Sequence, residues 1–89
     1  MTFNEADKVV HKVEDQWHYK SMVAFGYVPL TKEGIGFVRS YTYEHPETLR
    51  KFVITTGASA DYWTDKTTGK LGYWSDLEPH LARISQGAL

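Results

Sequence analysis

Apolar residues change their spacing twice along the chain, and these changes divide it into helical and extended segments. In residues 3–19 they recur at steps of three or four, which places them on one side of a helix. Beyond residue 20 the spacing falls to two, with β-branched and aromatic residues bounded by glycine and proline, as is typical of an antiparallel meander. Helical spacing returns at Leu77, Leu81 and Ile84, which predicts a second, C-terminal helix.

Turn and capping residues set the expected boundaries between these segments. The predicted strands are residues 21–28, 37–43, 49–56, 62–65 and 70–74. A turn-rich connection is expected at 31–36, and Gly69 closes a short turn between the last two strands because glycine accepts a left-handed conformation. The spacing from Ser75 to Glu78 is that of a capping box, which begins the last helix, and Gly87 ends it.

The order of these elements predicts an α+β fold that forms one compact domain over residues 1–89. We expect a single antiparallel sheet of four to five strands, arranged as a meander, with the N-terminal and C-terminal helices packed on one face. A chain of 89 residues has room for one hydrophobic core, since domains cluster at roughly 100–150 residues. The other face of the sheet would then be open to solvent. Alternatively, the sheet closes into a small barrel whose aromatic side chains hold a small ligand.

Composition and charge exclude several classes of protein. Ten Lys and Arg residues against eleven Asp and Glu residues give a net charge of −1, so the chain lacks the positive charge that attracts nucleic acids or anionic membranes. The absence of cysteine excludes disulfides, thiolate zinc sites and a cysteine nucleophile. No apolar run approaches the ~18 residues of a membrane span, and the polar N-terminus lacks a secretory signal. We therefore expect a cytoplasmic protein that makes no contact with a membrane.

Aromatic residues are the most informative part of the composition. Six tyrosines, three tryptophans and four phenylalanines make 15% of the chain, which exceeds what a small, one-sidedly covered core needs. We expect the surplus to line a recognition surface, since Tyr and Trp dominate the centres of protein interfaces. The partner-binding residues predicted from strand placement are Tyr41, Tyr43, Trp63 and Tyr73 as anchors, with Arg39 as a polar partner.

The N-terminal helix carries the best candidate for metal binding or acid–base chemistry. His11, Glu14, Asp15 and His18 stand at i, i+3, i+4 and i+7 and would project to a common side. Imidazole and carboxylate groups are sound ligands for Zn²⁺, but two helical turns, about 10.5 Å, separate His11 from His18, which is too far for one ion. We therefore treat His11, Glu14 and His18 as weak metal candidates, predict no metal and no cofactor, and expect this side of the helix to be solvated.

Basic residues among the aromatic strands raise the possibility of binding single-stranded nucleic acid. Arg39, Arg50 and Lys51 could neutralise phosphates while neighbouring rings stack on bases. Glu44 and Glu47 interrupt the same region, and the net charge is negative. These charges argue against a nucleic-acid partner.

The leading functional hypothesis is a small, non-enzymatic interaction module. Its aromatic, mixed-charge surface would bind another protein or a second copy of the chain, as accessory or inhibitory proteins of phages and mobile elements do. Two alternatives stay open: a protein that binds single-stranded nucleic acid, and a small metal-dependent or acid–base enzyme that uses His11, Glu14 and His18.

Overall fold

The computed structural model describes residues 13–57 and 60–87, which form a five-stranded sheet and two helices. In chain order, the elements are a 3₁₀ turn Val13–Asp15, α1 Tyr19–Ala24, β1 Val28–Ile35, β2 Val38–Glu44, β3 Lys51–Thr56, β4 Tyr62–Asp65, β5 Leu71–Tyr73, a 3₁₀ turn Trp74–Asp76 and α2 Leu77–Ser85. Neither α1 nor α2, the helices of the described part, is long and apolar enough to cross a bilayer.

The strands pair in chain order, β1-β2-β3-β4-β5, and every neighbouring pair is antiparallel. This meander confirms the predicted α+β fold class. Within the described residues β1 and β5 are the two edges of an open sheet, so the alternative of a closed barrel is wrong. An open sheet has two faces, and the position of the helices decides which face is buried.

The predicted first strand, residues 21–28, is wrong, because its first half belongs to α1. Gly26 ends this helix with φ +91°. The Tyr27 amide donates to the Met22 carbonyl at 2.9 Å and the Gly26 amide to the Val23 carbonyl at 3.0 Å, which is the hydrogen-bond pattern of a Schellman motif. Residues 3–12 of the predicted helix over 3–19 lie outside the described residues, and residues 13–18 form a 3₁₀ turn and a bend before α1 rather than a continuous helix.

Residues 31–35 form the second half of β1 rather than the predicted connection. The turn is the two-residue segment Gly36–Phe37, between Ile35 and its register partner Val38. Gly36 has φ +62°, the left-handed conformation that two-residue hairpin turns require. The hairpin between β4 and β5 is confirmed, with Gly69 at φ +81°.

One face of the sheet, here called the inner face, is covered by the two helices. Met22 of α1 and Leu77 and Leu81 of α2 pack against it. The fully or nearly fully buried apolar residues are Met22, Tyr27, Tyr41, Tyr43, Phe52, Ile54, Trp63, Leu77 and Leu81. Each buried ring removes roughly 150–250 Å² from water, so aromatic side chains supply most of this small core.

The start of α2 departs from the predicted Ser75 cap. The helix begins at Leu77, and the carboxylate of Asp76, not the hydroxyl of Ser75, accepts a hydrogen bond from the Tyr73 amide at 3.4 Å. Gly87, with φ +77°, follows its C-terminal end as predicted.

Candidate interaction surface

Asp65, at the end of β4, is the centre of a buried polar network. Its Oδ2 accepts hydrogen bonds from the Arg50 guanidinium at 3.1 Å and from His80 Nε2 at 2.9 Å. Its Oδ1 accepts from the backbone amides of Thr67 at 2.9 Å and Thr68 at 3.3 Å. One carboxylate therefore joins the β4–β5 turn to α2 and to the start of β3.

A carboxylate beside an imidazole is an arrangement that acid–base enzymes use to orient a catalytic histidine. Here His80 is fully buried between the rings of Trp63 and Phe52. Its ring centre lies 4.5 Å from that of Trp63, on which it stacks, and 5.8 Å from that of Phe52. Its Nδ1 is buried and has no hydrogen-bond partner among the described residues. Because the imidazole is sealed from solvent, the pair holds α2 on the sheet rather than contacting a substrate.

His18 forms the second buried polar contact of the core. Its Nδ1 lies 2.7 Å from the Tyr43 hydroxyl. The centre of its ring lies 4.8 Å from that of Tyr41 and 5.2 Å from that of Trp17, to which it is perpendicular. Burial lowers the pKa of His18 from 6.5 to about 4 and raises the pKa of Tyr43. Both shifts arise because a dry surrounding disfavours the charged form of each side chain. His18 is therefore neutral at neutral pH.

The buried position of His18 corrects the prediction of a solvated helical side. Glu14 and Asp15 are exposed in the 3₁₀ turn, whereas His18 faces the core. His11 lies outside the described residues. In the part of the chain that the structure describes, no group of three or more His, Asp or Glu side chains is close enough to hold a metal ion.

Acidification is expected to destabilise the fold through His18. Its pKa is about 4 when folded against 6.5 when unfolded, so the unfolded state binds the proton more readily in this window. Stability is fully present above pH 6.5 and falls by roughly 3 kcal/mol as pH drops towards 4, at about 1.4 kcal/mol per unit of pKa difference. Urea unfolding at a series of pH values measures this slope. His18→Phe should flatten it between pH 6.5 and 4.5, and an unchanged slope in that variant would contradict the assignment.

Three of the four predicted aromatic anchors are buried, so their prediction as surface anchors is wrong. Tyr41, Tyr43 and Trp63 point to the inner face and lie beneath the helices. Tyr41 and Tyr43 lie on the same side of β2, and this aromatic side is the one that the helices cover. Arg39 shares this face and is half-buried, and Tyr73 is the one predicted anchor that is exposed.

The exposed apolar side chains of β4 and β5 lie together on the other face, here called the outer face. Tyr62 pairs with Tyr73 and Thr64 with Leu71, so these four side chains project to one side. Leu71 is 61% exposed and Tyr73 is 62% exposed, although both are large and apolar in character. With Gly72 between them they line a shallow depression of about 330 Å³. Tyr62, Leu71 and Tyr73 are called the outer-face patch below.

The centre of the outer face carries no charge. By strand alternation its central side chains are Ser40, Thr42, Val53, Thr55, Tyr62 and Thr64. The charges on this face stand at its margins: Glu33 lies on the edge strand β1 opposite Ser40, and Glu44 and Lys51 stand at one end of β2 and β3 with 3.8 Å between carboxylate and ammonium. A partner could therefore cover the patch and the adjoining centre without burying an unpaired charge.

The last strand and the start of the first strand are poor sites for adding another strand. At the β5 edge, the Tyr73 carbonyl accepts from Trp63 Nε1 at 2.9 Å and the Tyr73 amide donates to Asp76 at 3.4 Å. At the β1 edge, Pro29 lacks an amide hydrogen and a bulge interrupts the register between Pro29 and Thr31. Proline and bulges are common means of blocking an edge. These features limit strand addition at β5 and at the start of β1, whereas the outer face is open.

The cations predicted to neutralise phosphates are only partly accessible. Arg50 is bound by the buried carboxylate of Asp65, and Lys51 lies beside Glu44. Arg39 belongs to the inner face. This placement does not form the exposed basic track with interleaved rings that single-stranded nucleic acid requires.

Sequence reasoning missed the Asp65 network, although two signals point to it. Asp65 directly precedes a Lys-Thr-Thr-Gly turn, where an aspartate commonly accepts hydrogen bonds from amides two and three residues later. His80 lies three residues after Leu77 and four before Ile84, on the apolar side of α2. The first position indicates an aspartate that binds turn amides, and the second indicates a histidine inside the core.

No protein-family model, no curated protein and no solved structure matches this chain.

Proposed function

We propose that this protein is a small, non-enzymatic interaction module that binds a protein partner through the outer-face patch. The observation that carries the proposal is the strong exposure of Leu71 and Tyr73 beside Tyr62 on a paired, rigid hairpin. Exposed apolar groups that cluster on a soluble fold commonly mark an interaction site. Here they occupy the only stretch of the described outer face where two tyrosine rings stand opposite each other across neighbouring strands.

Tyrosine suits this role because its ring supplies a large contact area with few rotatable bonds, so little side-chain entropy is lost on binding. The hydroxyl groups can still form hydrogen bonds with the partner. Three side chains cover less area than the ~800 Å² per partner of a standard interface. We therefore expect a transient complex, with a dissociation constant of about 10–100 µM.

Selection from a displayed library of short random peptides tests the proposal, since it does not require an identified partner. The wild-type protein is the bait, and selected peptides are titrated against the double variant Leu71→Ser/Tyr73→Ser. We expect the double variant to bind at least about tenfold more weakly, since anchor truncations commonly cost more than 1 kcal/mol each. Both substitutions replace exposed side chains, so they should leave the fold intact.

Phe37→Ser is the matched control. Phe37 is 86% exposed but lies in the β1–β2 turn, outside the patch, so its loss should leave peptide affinity unchanged. Sedimentation of the protein alone over a concentration series tests a second copy as the partner. Self-association that the double variant abolishes also supports the module. The proposal fails if no peptide is selected and no self-association occurs, or if the patch and control variants behave alike.

A further inference from the structure

A cleft of about 530 Å³ lies where the chain around α1 meets the start of α2. Its polar and aromatic lining comes from Trp17, Ser21, Trp74, Ser75 and Glu78, with Pro79 beside them. We call it the indole cleft. Pockets that hold a small molecule or a single side chain have volumes of roughly 300–1,000 Å³, and this one shares no residue with the outer-face patch.

Two of the three tryptophans of the chain open into this cleft. Trp17 is 39% exposed and Trp74 is 64% exposed, whereas Trp63 is buried. The ring of Trp17 is held in place, because its Nε1 donates to Asp61 at 2.9 Å and its ring packs perpendicular to that of His18. At least one wall of the cleft is therefore fixed before any ligand arrives, which lowers the entropy lost on binding.

The polar groups of the cleft favour a ligand that donates hydrogen bonds. The Trp17 indole already donates to Asp61, and the Ser21 hydroxyl already donates to Glu78 Oε1 at 2.7 Å. The Glu78 carboxylate accepts only, and its oxygens can take further hydrogen bonds. The charged group of the lining is therefore a hydrogen-bond acceptor, which favours a cationic donor and does not suit a phosphate.

The charge of the cleft has one sign. Among the described residues that line it, Glu78 is the ionisable one, and no lysine, arginine or histidine is among them. Indole rings attract cations through their electron-rich faces, and tryptophan does so more strongly than any other side chain. A carboxylate beside exposed indoles combines this attraction with a direct charge pair.

We infer that the indole cleft binds an organic cation, an alkylammonium or guanidinium group whose carbon atoms lie against Trp17 and Trp74 while its positive charge faces Glu78. Such a group has two natural sources: a free quaternary or primary amine, or the lysine or arginine side chain of a partner protein. The inference is independent of the outer-face patch.

Titration with small cations, followed by tryptophan fluorescence and by NMR of the indole N–H signals, tests the inference. The probes are choline, n-butylammonium and ethylguanidinium, and 3,3-dimethylbutan-1-ol serves as the uncharged isostere of choline. We expect at least one cation to saturate with a dissociation constant of about 0.1–10 mM, with the uncharged isostere at least about tenfold weaker. Preference for choline indicates a free amine, whereas preference for n-butylammonium or ethylguanidinium indicates a protein side chain.

Trp74→Ala and Glu78→Gln are the test variants, and each should weaken the bound cation about tenfold. Both residues are exposed, so the variants should fold. Glu47→Gln, an exposed glutamate of the β2–β3 turn, and Leu71→Ser of the outer-face patch should leave affinity unchanged. Equal binding of choline and its uncharged isostere would overturn the inference, as would saturation by methyl glucoside without any cation, or unaltered affinity in both test variants.

Discussion

Replacement of Asp65 by alanine is expected to lower the free energy of unfolding by about 3–5 kcal/mol, the usual cost of removing one partner from a buried ion pair. His80 would lose the acceptor of its Nε2 hydrogen bond, Arg50 would lose a buried carboxylate, and the Thr67 and Thr68 amides would lose their turn acceptor. A chain of this size has only about 4–13 kcal/mol in total. Thermal unfolding should therefore shift down by roughly 12 °C or more.

One substitution separates the contributions of the Asp65 carboxylate, and a substitution at a second carboxylate, Asp76, is the control. Asp65→Asn keeps one acceptor oxygen for the turn amides but removes the charge that His80 and Arg50 share, so it should cost about 2 kcal/mol. Asp76→Ala removes an exposed carboxylate whose contact is the Tyr73 amide, and it should cost at most ~1 kcal/mol. If Asp65→Ala unfolds at the same temperature as Asp76→Ala, the network does not join α2 to the sheet.

The second large effect is expected at Gly72, where alanine should cost about 3 kcal/mol, the upper end of the usual range for overpacking. A Cβ atom at Gly72 would lie 2.3 Å from the indole of Trp63, and its backbone is not left-handed, so the whole cost comes from collision. The indole would have to move, breaking its hydrogen bond to the Tyr73 carbonyl and its stacking on His80. Chemical denaturation measures the loss, and a red shift of tryptophan emission reports the displaced ring.

Gly69→Ala, in the same hairpin, is the control for Gly72→Ala. Nothing lies within 4 Å of a Cβ at Gly69, but its φ is +81°, so this substitution should cost only the ~1–2 kcal/mol of a left-handed alanine. Trp63→Phe should also reduce the penalty of Gly72→Ala, because the smaller ring leaves room. Equal penalties in the two backgrounds would show that Trp63 does not lie across Gly72.

The strands from β2 onward could be predicted because their alternation is strong and because the turn between β4 and β5 carries the expected Gly69. Residues 62–65 match β4 fully, and 37–43 and 49–56 differ from β2 and β3 by one or two residues at their ends. The segment around α1 could not be predicted in the same way. Its apolar residues fit both periods, and Gly26, which ends the helix, resembles a glycine inside a strand.

The site was harder to predict than the fold for a physical reason. Alternation shows which side chains share a face, but it does not show which face the helices cover. The position of the helices decides whether the aromatic side chains of β2 and β4 are buried or exposed. Tyr41 and Trp63 therefore became core residues, whereas Tyr73 stayed exposed. Gly72 opposite Trp63 is the one local signal of the covered face, because a glycine there leaves space for an inward indole.

The backbone carbonyl and amide of Tyr73 already have hydrogen-bond partners within the chain, the indole of Trp63 and the carboxylate of Asp76, so they cannot pair with an added strand. A chain that recruits neighbours strand by strand can grow into a fibre, since each added strand presents a new free edge. Here growth by that route ends at the last strand, while the outer-face patch remains open beside it. Polymerisation by addition of strands should accordingly stop at β5.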